Sequence, residues 1–204
     1  VMKPQFFESK PSRVIYHGKN FDSSVNSFNK DSKQFLFVGA REGYKNFVNA
    51  CLAFEKTLKI VPECTFSIVG SNYSSEEFNL VKNFRHRVKW VNYPTHETLR
   101  ELYSNSLGLL YVSNYEGFGM PLLEAMSQGC VPIAGNHSSI TEVLEDAGLM
   151  VNVNNPNEIS SAMLKCLDNP NHLRQIIKKG FNRSQNFTWK KAAKKTLDFY
   201  ESLK

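Results

Sequence analysis

The strongest constraint on the fold of this chain is a glycine-rich turn that stands between two apolar runs. Residues 114–129 read NYEGFGMPLLEAMSQG, with apolar runs at 107–112 before them and at 131–134 after them. Pro121 suits the first turn of a helix, where its missing N–H is not needed, and Gly129 suits the residue at which a helix ends. The region therefore predicts strand, turn, helix, turn and strand, a unit typical of α/β proteins.

The rest of the chain repeats this alternation of short apolar runs with longer amphipathic stretches. We predict strands at residues 34–38, 64–69, 88–91, 107–112, 131–134 and 149–151. We predict helices between them at 45–59, 76–84, 95–104, 121–128 and 139–144, and three further helices at 156–167, 172–180 and 189–203. This order predicts a Rossmann-like parallel sheet with helices on both faces, followed by a helical C-terminus.

The first 33 residues precede the alternation and have a different character. Residues 1–12 are polar and contain two prolines, so we predict a leader or linker there. A short run at 13–17 predicts a strand that ends at Gly18, and residues 19–33 predict a polar loop. The whole chain of 204 residues has the length of one ordinary domain.

The predicted helix at Pro121 directs its N-terminus into the turn Gly117-Phe118-Gly119. Unpaired N–H groups and the positive end of the helix dipole make such a place suitable for a phosphate. Glu116 and Glu124 bracket the turn, and a carboxylate can accept hydrogen bonds from two vicinal sugar hydroxyls. Phosphate and sugar together indicate a nucleotide sugar. The alternative is that Glu116 is a loop charge and that Glu124 only complements the helix dipole.

A second candidate site follows the first strand of the predicted sheet, in residues 39–46, GAREGYKN. Arg41 and Lys45 stand at the carboxyl end of that strand, beyond which ligands of parallel sheets bind. Two fixed cations there can neutralise a diphosphate. The alternative is that both are ordinary surface cations that precede a helix.

The charge of the chain is unevenly distributed. Its formal net charge is +6, and residues 171–204 alone hold nine Lys or Arg and two acidic residues. These cations lie on helical sequence without a nucleic-acid motif, so we expect no nucleic-acid partner. The simplest interpretation is a solvated helix face. The alternative is peripheral contact with an anionic membrane, to which each Lys or Arg can contribute about 1 kcal/mol.

Other features of the sequence count against a membrane span, a signal peptide, disulfides and a metal site. No run approaches the ~20 apolar residues of a membrane span and no signal peptide is recognisable, so we expect a cytoplasmic location. The four cysteines are widely spaced, and we predict that they are small buried residues. The five histidines are scattered over different elements, so we expect no metal site.

Residues 116–126, EGFGMPLLEAM, closely resemble the Glu-x7-Glu signature of the family 4 retaining glycosyltransferases, which have the GT-B fold. The segment 39–46 resembles the family's Gly-x-Arg...Lys-Asn loop, and weaker likenesses at 14–18, at 138–148 and around Trp189 extend over nearly the whole chain. There are departures as well. His17 replaces the more usual Asn, and Asn92 replaces a Gly in a loop at the edge of the base pocket, where Asn also tolerates a left-handed conformation.

The resemblance implies that residues 13–204 form the C-terminal, donor-binding domain of a GT-B enzyme, and that the N-terminal acceptor-binding domain is absent from this chain. It implies catalytic roles for Arg41, Lys45 and Glu116, because cations there stabilise charge that grows on the leaving diphosphate while Glu116 orients hydroxyls of the donor sugar. Glu124 would hold the ribose, and no divalent metal is expected. The implied donor-binding residues are Gly39, Arg41, Lys45, Asn92, Tyr93, Pro94, Glu116, Gly117, Phe118, Gly119, Met120, Pro121, Leu122 and Glu124.

The implied activity is transfer, with retention of configuration, of a sugar from a UDP- or GDP-sugar to a glycan or lipid-linked acceptor, as in polysaccharide biosynthesis. We expect this chain to bind the donor but to be inactive by itself, as a fragment would be. The alternative is a stand-alone nucleotide-sugar-binding or interaction module without transferase activity.

Overall fold

The computed structural model of the protein describes residues 11–23 and 31–203 and contains a six-stranded parallel sheet. Its strands are β1 (Gln34–Val38), β2 (Thr65–Gly70), β3 (Val88–Asn92), β4 (Gly108–Tyr111), β5 (Val131–Gly135) and β6 (Leu149–Val151). Their spatial order is β3-β2-β1-β4-β5-β6, and every neighbouring pair is parallel. The strand order reverses between β1 and β4, and ligands of such sheets bind beyond the carboxyl ends at this point.

Eight α-helices connect and follow the strands in the described part of the chain. They are α1 (Phe47–Leu58), α2 (Ser75–Val81), α3 (His96–Asn105), α4 (Met120–Ser127), α5 (Ser138–Leu144), α6 (Pro156–Asp168), α7 (Pro170–Ser184) and α8 (Trp189–Glu201). Two short 3-10 helices, Gly43–Lys45 and Lys82–Arg87, precede α1 and follow α2. The predicted Rossmann-like sheet with a helical C-terminus is confirmed.

The core lies in two layers, one on each face of the sheet. Along β1, Phe35 and Phe37 belong to one buried cluster and Leu36 belongs to the other. Side chains of a strand alternate between faces, so the unbroken apolar sequence of β1 serves both layers. Helices α1, α6 and α7 pack on the face of Phe35, and α3, α4 and α5 pack on the face of Leu36.

Two helices are shorter in the structure than the sequence predicts. The helix predicted at 76–84 ends as α2 at Val81, because Phe84 has non-helical angles (φ −132°, ψ 22°) inside the following 3-10 helix. The helix predicted at 45–59 begins only at Phe47, because Asn46 has a left-handed conformation with φ 57°. The Asn46 side chain donates a hydrogen bond to the carbonyl of Val153 at 2.7 Å, which fixes this turn beside β6.

The strand predicted at 13–17 is wrong, since residues 11–19 form neither strand nor helix. This segment packs against the start of α8 instead of a neighbouring strand. A Cβ atom at Gly18 would lie 2.1 Å from the backbone nitrogen of Trp189, so only glycine allows this close approach. Residues 1–10 of the predicted leader and 24–30 of the predicted polar loop lie outside the described residues.

Two further features of the structure are the state of the cysteines and the character of the helices. The four cysteines are free and buried, as predicted. None of the helices in the described ranges combines the length and the apolar content needed to cross a bilayer.

Candidate functional site

The glycine-rich turn connects β4 to α4 and leaves the start of α4 without a capping side chain in the described part of the chain. Gly119 is the N-cap residue with φ 107°, and a Cβ atom there would also lie 2.9 Å from a Leu122 methyl group. A Cβ atom at Gly117 would meet nothing within 4 Å, so the backbone of the turn is open to a ligand. A helix N-terminus of this kind suits an anion such as a phosphate.

The structure brings together one residue from each of the two predicted sites. Lys45 Nζ lies 2.7 Å from Glu116 Oε1, with side chains 15% and 11% exposed. The Lys45 ammonium also lies 5.1 Å from the ring centroid of Tyr44 and 5.7 Å from that of Tyr111. The pKa of Tyr111 is raised, mainly by burial and further by the charge of Glu116 and the hydrogen bond to it. This phenol therefore stays protonated and donates to the carboxylate. A cation and a carboxylate thus stand at the carboxyl end of the sheet.

Glu124 lies in a different environment, inside the layer formed by α3 and α4. Its residue is 6% exposed, and its two oxygens accept hydrogen bonds from Asn20 Nδ2 at 2.8 Å and from the Tyr103 hydroxyl at 3.0 Å. Burial raises the pKa of the Glu124 carboxyl, and the two hydrogen bonds offset part of that rise. Both hydrogen-bond donors are neutral side chains, which could give way to ribose hydroxyls.

Arg41 does not join Lys45, although it stands in the same loop. Its guanidinium forms a bidentate pair with Glu77 of α2, with Nε–Oε1 at 2.7 Å and Nη2–Oε2 at 3.2 Å, and the arginine side chain is 2% exposed. Nη2 also donates to the carbonyls of Ser71 and Asn72 at 3.0 and 2.9 Å. A direct grip on a diphosphate would require this side chain to leave Glu77, and that role stays a prediction.

The Arg41 guanidinium is enclosed on its remaining sides. It lies 5.6 Å from the ring centroid of Trp90, and its Nη1 has no hydrogen-bond partner among the described residues. A Cβ atom at Gly70 would lie 2.7 Å from Nη1, so the arginine fills the space left by a glycine at the end of β2. These contacts tie the loop after β1 to the loop after β2.

The predicted edge of the base pocket follows β3, as expected, but its turn is placed differently. Asn92 is the last residue of β3, and its side-chain amide donates to Asn72 Oδ1 at 2.7 Å. The left-handed residue is Tyr93, with φ 46° and a residue exposure of 76%, and Pro94 follows it. An exposed aromatic ring at this edge is suited to stack on a nucleotide base.

The remaining predicted donor-binding residues lie just after β1, in the glycine-rich turn and in the first turn of α4. Gly39, with φ 121°, directly follows β1, and Leu122 is buried in the core, so its side chain is not available to a ligand. Phe118 packs its ring against Tyr16, with centroids 6.1 Å apart. Met120 and Pro121 form the first turn of α4.

Several residues at these sites were missed by sequence reasoning. Glu77 closes a capping box with Ser74, a pattern that the sequence contains, but its pairing with Arg41 could not be read from it. Asn20 and Tyr103 reach Glu124 across 104 and 21 residues. Ser139 donates to the carbonyl of Glu116 at 2.8 Å and so holds the glycine-rich turn in place. In the described ranges no three His, Cys, Asp or Glu side chains converge on a metal position.

Most of this chain matches a known family of proteins. The family model for "Glycosyl transferases group 1" matches residues 18–183, and the chain belongs to this family. The family and the GT-B fold expected from the sequence are thereby confirmed.

Individual relatives agree with this assignment. The chain is 28% identical to O-antigen chain mannosyltransferase B of Escherichia coli over 82% of its own length and 45% of that protein. It is 27% identical to the structure of sucrose-phosphate synthase from Thermosynechococcus elongatus, with a TM-score of 0.75, over 85% of this chain and 46% of the other. A pneumococcal O-GlcNAc transferase, solved in complex with UDP and GlcNAc, has the same fold with a TM-score of 0.74 at 19% identity, over 92% of this chain and 38% of the other. The chain thus spans less than half the length of each of these proteins.

Proposed function

We propose that this chain is the donor-binding domain of a retaining glycosyltransferase that uses a nucleoside diphosphate sugar. The observation that carries the proposal is the Lys45–Glu116 pair, at 2.7 Å, because its carboxylate lies in the loop that leads to the start of α4. A cation and a helix N-terminus suit a diphosphate, and a carboxylate beside them suits sugar hydroxyls. The loops after β1 and β4 thus supply groups suited to the diphosphate and to the sugar of such a donor.

In this proposal each group acts on a different part of the donor. Lys45 and the N-terminus of α4 stabilise the negative charge that grows on the diphosphate as the glycosidic bond breaks, and this lowers the energy of the transition state more than that of the bound donor. Glu116 orients hydroxyls of the donor sugar. Glu124 accepts the ribose hydroxyls in place of Asn20 and Tyr103, and Arg41 joins the diphosphate if its guanidinium moves away from Glu77.

The transferred sugar is a hexose carried by UDP or GDP, and mannose is a suitable first candidate because one relative is an O-antigen chain mannosyltransferase. We propose that an acceptor-binding domain outside this chain holds the glycan or lipid-linked acceptor, since this chain covers only 45% and 46% of two of the relatives compared above. Positioning of two substrates can supply about 7–11 kcal/mol of a barrier. The domain alone should therefore bind the donor and catalyse no transfer.

The test is a calorimetric titration of the protein with GDP, UDP and their sugars in excess EDTA. We expect binding to persist without divalent metal, because Lys45 and the α4 N-terminus supply the positive charge. Lys45→Ala should weaken nucleoside diphosphate binding by about 1–3 kcal/mol, as expected for the loss of a hydrogen bond to a charged group. The matched control is Lys56→Ala, since Lys56 is exposed on α1.

Two results would contradict the proposal: no binding of either nucleotide, or complete loss of binding on chelation. A transfer assay with labelled nucleotide sugar and a glycan acceptor completes the test. Transfer by this chain alone at ~1 per second, an ordinary enzyme rate, would show that no acceptor domain is needed. Donor binding without transfer, even when an acceptor domain is joined to the chain, would favour the stand-alone binding module.

The proposal extends to location, as peripheral contact between α8 and an anionic membrane. Trp189, Leu197 and Tyr200 are exposed on α8, and Lys190 and Lys194 flank them. An apolar strip beside lysines is typical of helices that lie in a membrane interface. Vesicles that contain phosphatidylglycerol should therefore retain the protein and shift its tryptophan fluorescence to the blue, whereas phosphatidylcholine vesicles should not. Equal behaviour with both kinds of vesicle would contradict this contact.

A further inference from the structure

A cavity of about 800 Å³ lies against the glycine-rich turn. Its walls are the segment 14–17, the turn itself and α5. The lining residues are Val14, Ile15, Tyr16, His17, Tyr115, Glu116, Gly117, Phe118, Ser139, Thr141, Glu142 and Val143. The cavity therefore shares Glu116, Gly117 and Phe118 with the proposed donor site.

Aromatic rings form much of the cavity wall. Tyr16 stacks on Phe118 with an interplanar angle of 26°, and His17 meets the edge of Phe118 at a centroid distance of 5.1 Å. Tyr115 also lines the cavity and is 66% exposed, so its ring is available to a ligand. The face of an aromatic ring carries negative charge density, which suits the weakly positive C–H groups on the flat side of a pyranose.

The polar groups of the cavity are carboxylates and hydroxyls. The Tyr16 hydroxyl donates to one oxygen of Glu142, which fixes the glutamate side chain in place and leaves acceptor capacity on the carboxylate. Ser139 bonds the carbonyls of Glu116 and Phe118, so the wall formed by the turn is also fixed. Carboxylates held in place accept hydrogen bonds from sugar hydroxyls without a large loss of side-chain freedom.

The residues that line the cavity favour a neutral ligand over a phosphate. None of the described residues that line the cavity is Lys or Arg, and two of them are Glu. Glu116 pairs with Lys45 at 2.7 Å, whereas Glu142 accepts a hydrogen bond from the neutral Tyr16 hydroxyl. A neutral ligand with hydroxyl groups and apolar faces fits this lining better than an anion does.

From this combination, we infer that the cavity binds a sugar ring of the acceptor glycan. The inference rests on the proposed function, since it is the shared Glu116–Phe118 turn that places a second sugar beside the donor sugar. Tyr115 stacks on the acceptor ring and Glu142 accepts its hydroxyls. This domain then contributes to acceptor choice as well as to donor binding.

The test is saturation-transfer NMR on the full chain with GDP present, using methyl α-D-mannopyranoside, methyl α-D-glucopyranoside and methyl β-D-N-acetylglucosaminide as probes. At least one glycoside should receive magnetisation from the protein. Tyr115→Ala and Glu142→Gln should each reduce its signal at least fivefold. Tyr115→Phe should restore the signal, because it keeps the ring face.

The matched control is Glu101→Gln, which removes an exposed carboxylate on α3 and should leave the signal unchanged. Titration of the same variants with GDP separates the two proposals. Nucleotide binding with no signal from any glycoside, or with a signal that persists in both Tyr115→Ala and Glu142→Gln, overturns this inference alone. A glycoside signal that depends on Tyr115 and Glu142 in a protein that binds neither GDP nor UDP supports the cavity and overturns the proposed function.

Discussion

The loop between β1 and α1 carries two cations, and their surroundings differ sharply. Arg41 and Lys45 each lie 2.7 Å from a carboxylate. The Arg41 pair, however, is enclosed by Trp90 and by two backbone carbonyls, whereas the Lys45 pair stands between tyrosine rings at the carboxyl end of the sheet. The first pair joins the loops after β1 and β2, whereas the second joins the loop after β1 to the glycine-rich turn before α4. Two cations of one motif are therefore held by different parts of the fold.

Replacement of Arg41 and of Lys45 by alanine should lower the free energy of unfolding by different amounts. Arg41→Ala should lower the free energy of unfolding by about 3 kcal/mol, because it leaves Glu77 without its countercharge and two carbonyls without a donor. Lys45→Ala should cost only about 1 kcal/mol, since Glu116 keeps the Tyr111 hydroxyl as a hydrogen-bond donor. Urea denaturation of both variants measures the difference. The comparison fails if Lys45→Ala is the more destabilising of the two.

Sequence reasoning succeeded where the signals are local. Pro121 and the turn before it predict a helix that the structure begins at Met120, and the apolar runs predict both ends of all six strands of the sheet to within one residue. Each of these elements is specified by residues close together in the chain. The order of the motifs also placed Glu116 and Lys45 at the carboxyl edge of the sheet.

It failed where a distant residue decides the conformation. The run at 13–17 has strand-like composition, but it packs against the start of α8, about 170 residues later in the chain. The partner of Arg41 is 36 residues away, and the left-handed residue after β3 is Tyr93, where no glycine marks it. Tertiary contacts fix these features, and a single sequence does not report them.

The two motif carboxylates differ as well, because Glu116 forms an ion pair with Lys45, whereas Glu124 accepts hydrogen bonds from the uncharged side chains of Asn20 and Tyr103. If Glu124 holds the ribose, Glu124→Gln should weaken binding of free nucleotide and nucleotide sugar alike by about 1–3 kcal/mol. Glu116→Gln should affect only the sugar-bearing ligand. Calorimetry with GDP and with a GDP-sugar separates the two variants. Equal losses for free GDP would refute this division of roles.

The smallest expected effect concerns the stability cost of burying Glu124. Its pKa is raised from the ordinary value of 4.5, chiefly by burial, so the folded state favours the protonated acid. The stability that this proton contributes is present below pH 4.5 and is lost as the pH rises through the higher pKa of the folded state. Glu124→Gln mimics the protonated acid, and its side-chain amide can donate to the Tyr103 hydroxyl. The variant should therefore be more stable than the wild type at pH 7, by on the order of 1 kcal/mol, with the gap closing toward pH 4. Urea denaturation across this range measures the gap, with exposed Glu101→Gln as the control. A gap independent of pH, or a less stable variant at pH 7, would show that the hydrogen bonds from Asn20 and Tyr103 fully compensate the buried charge.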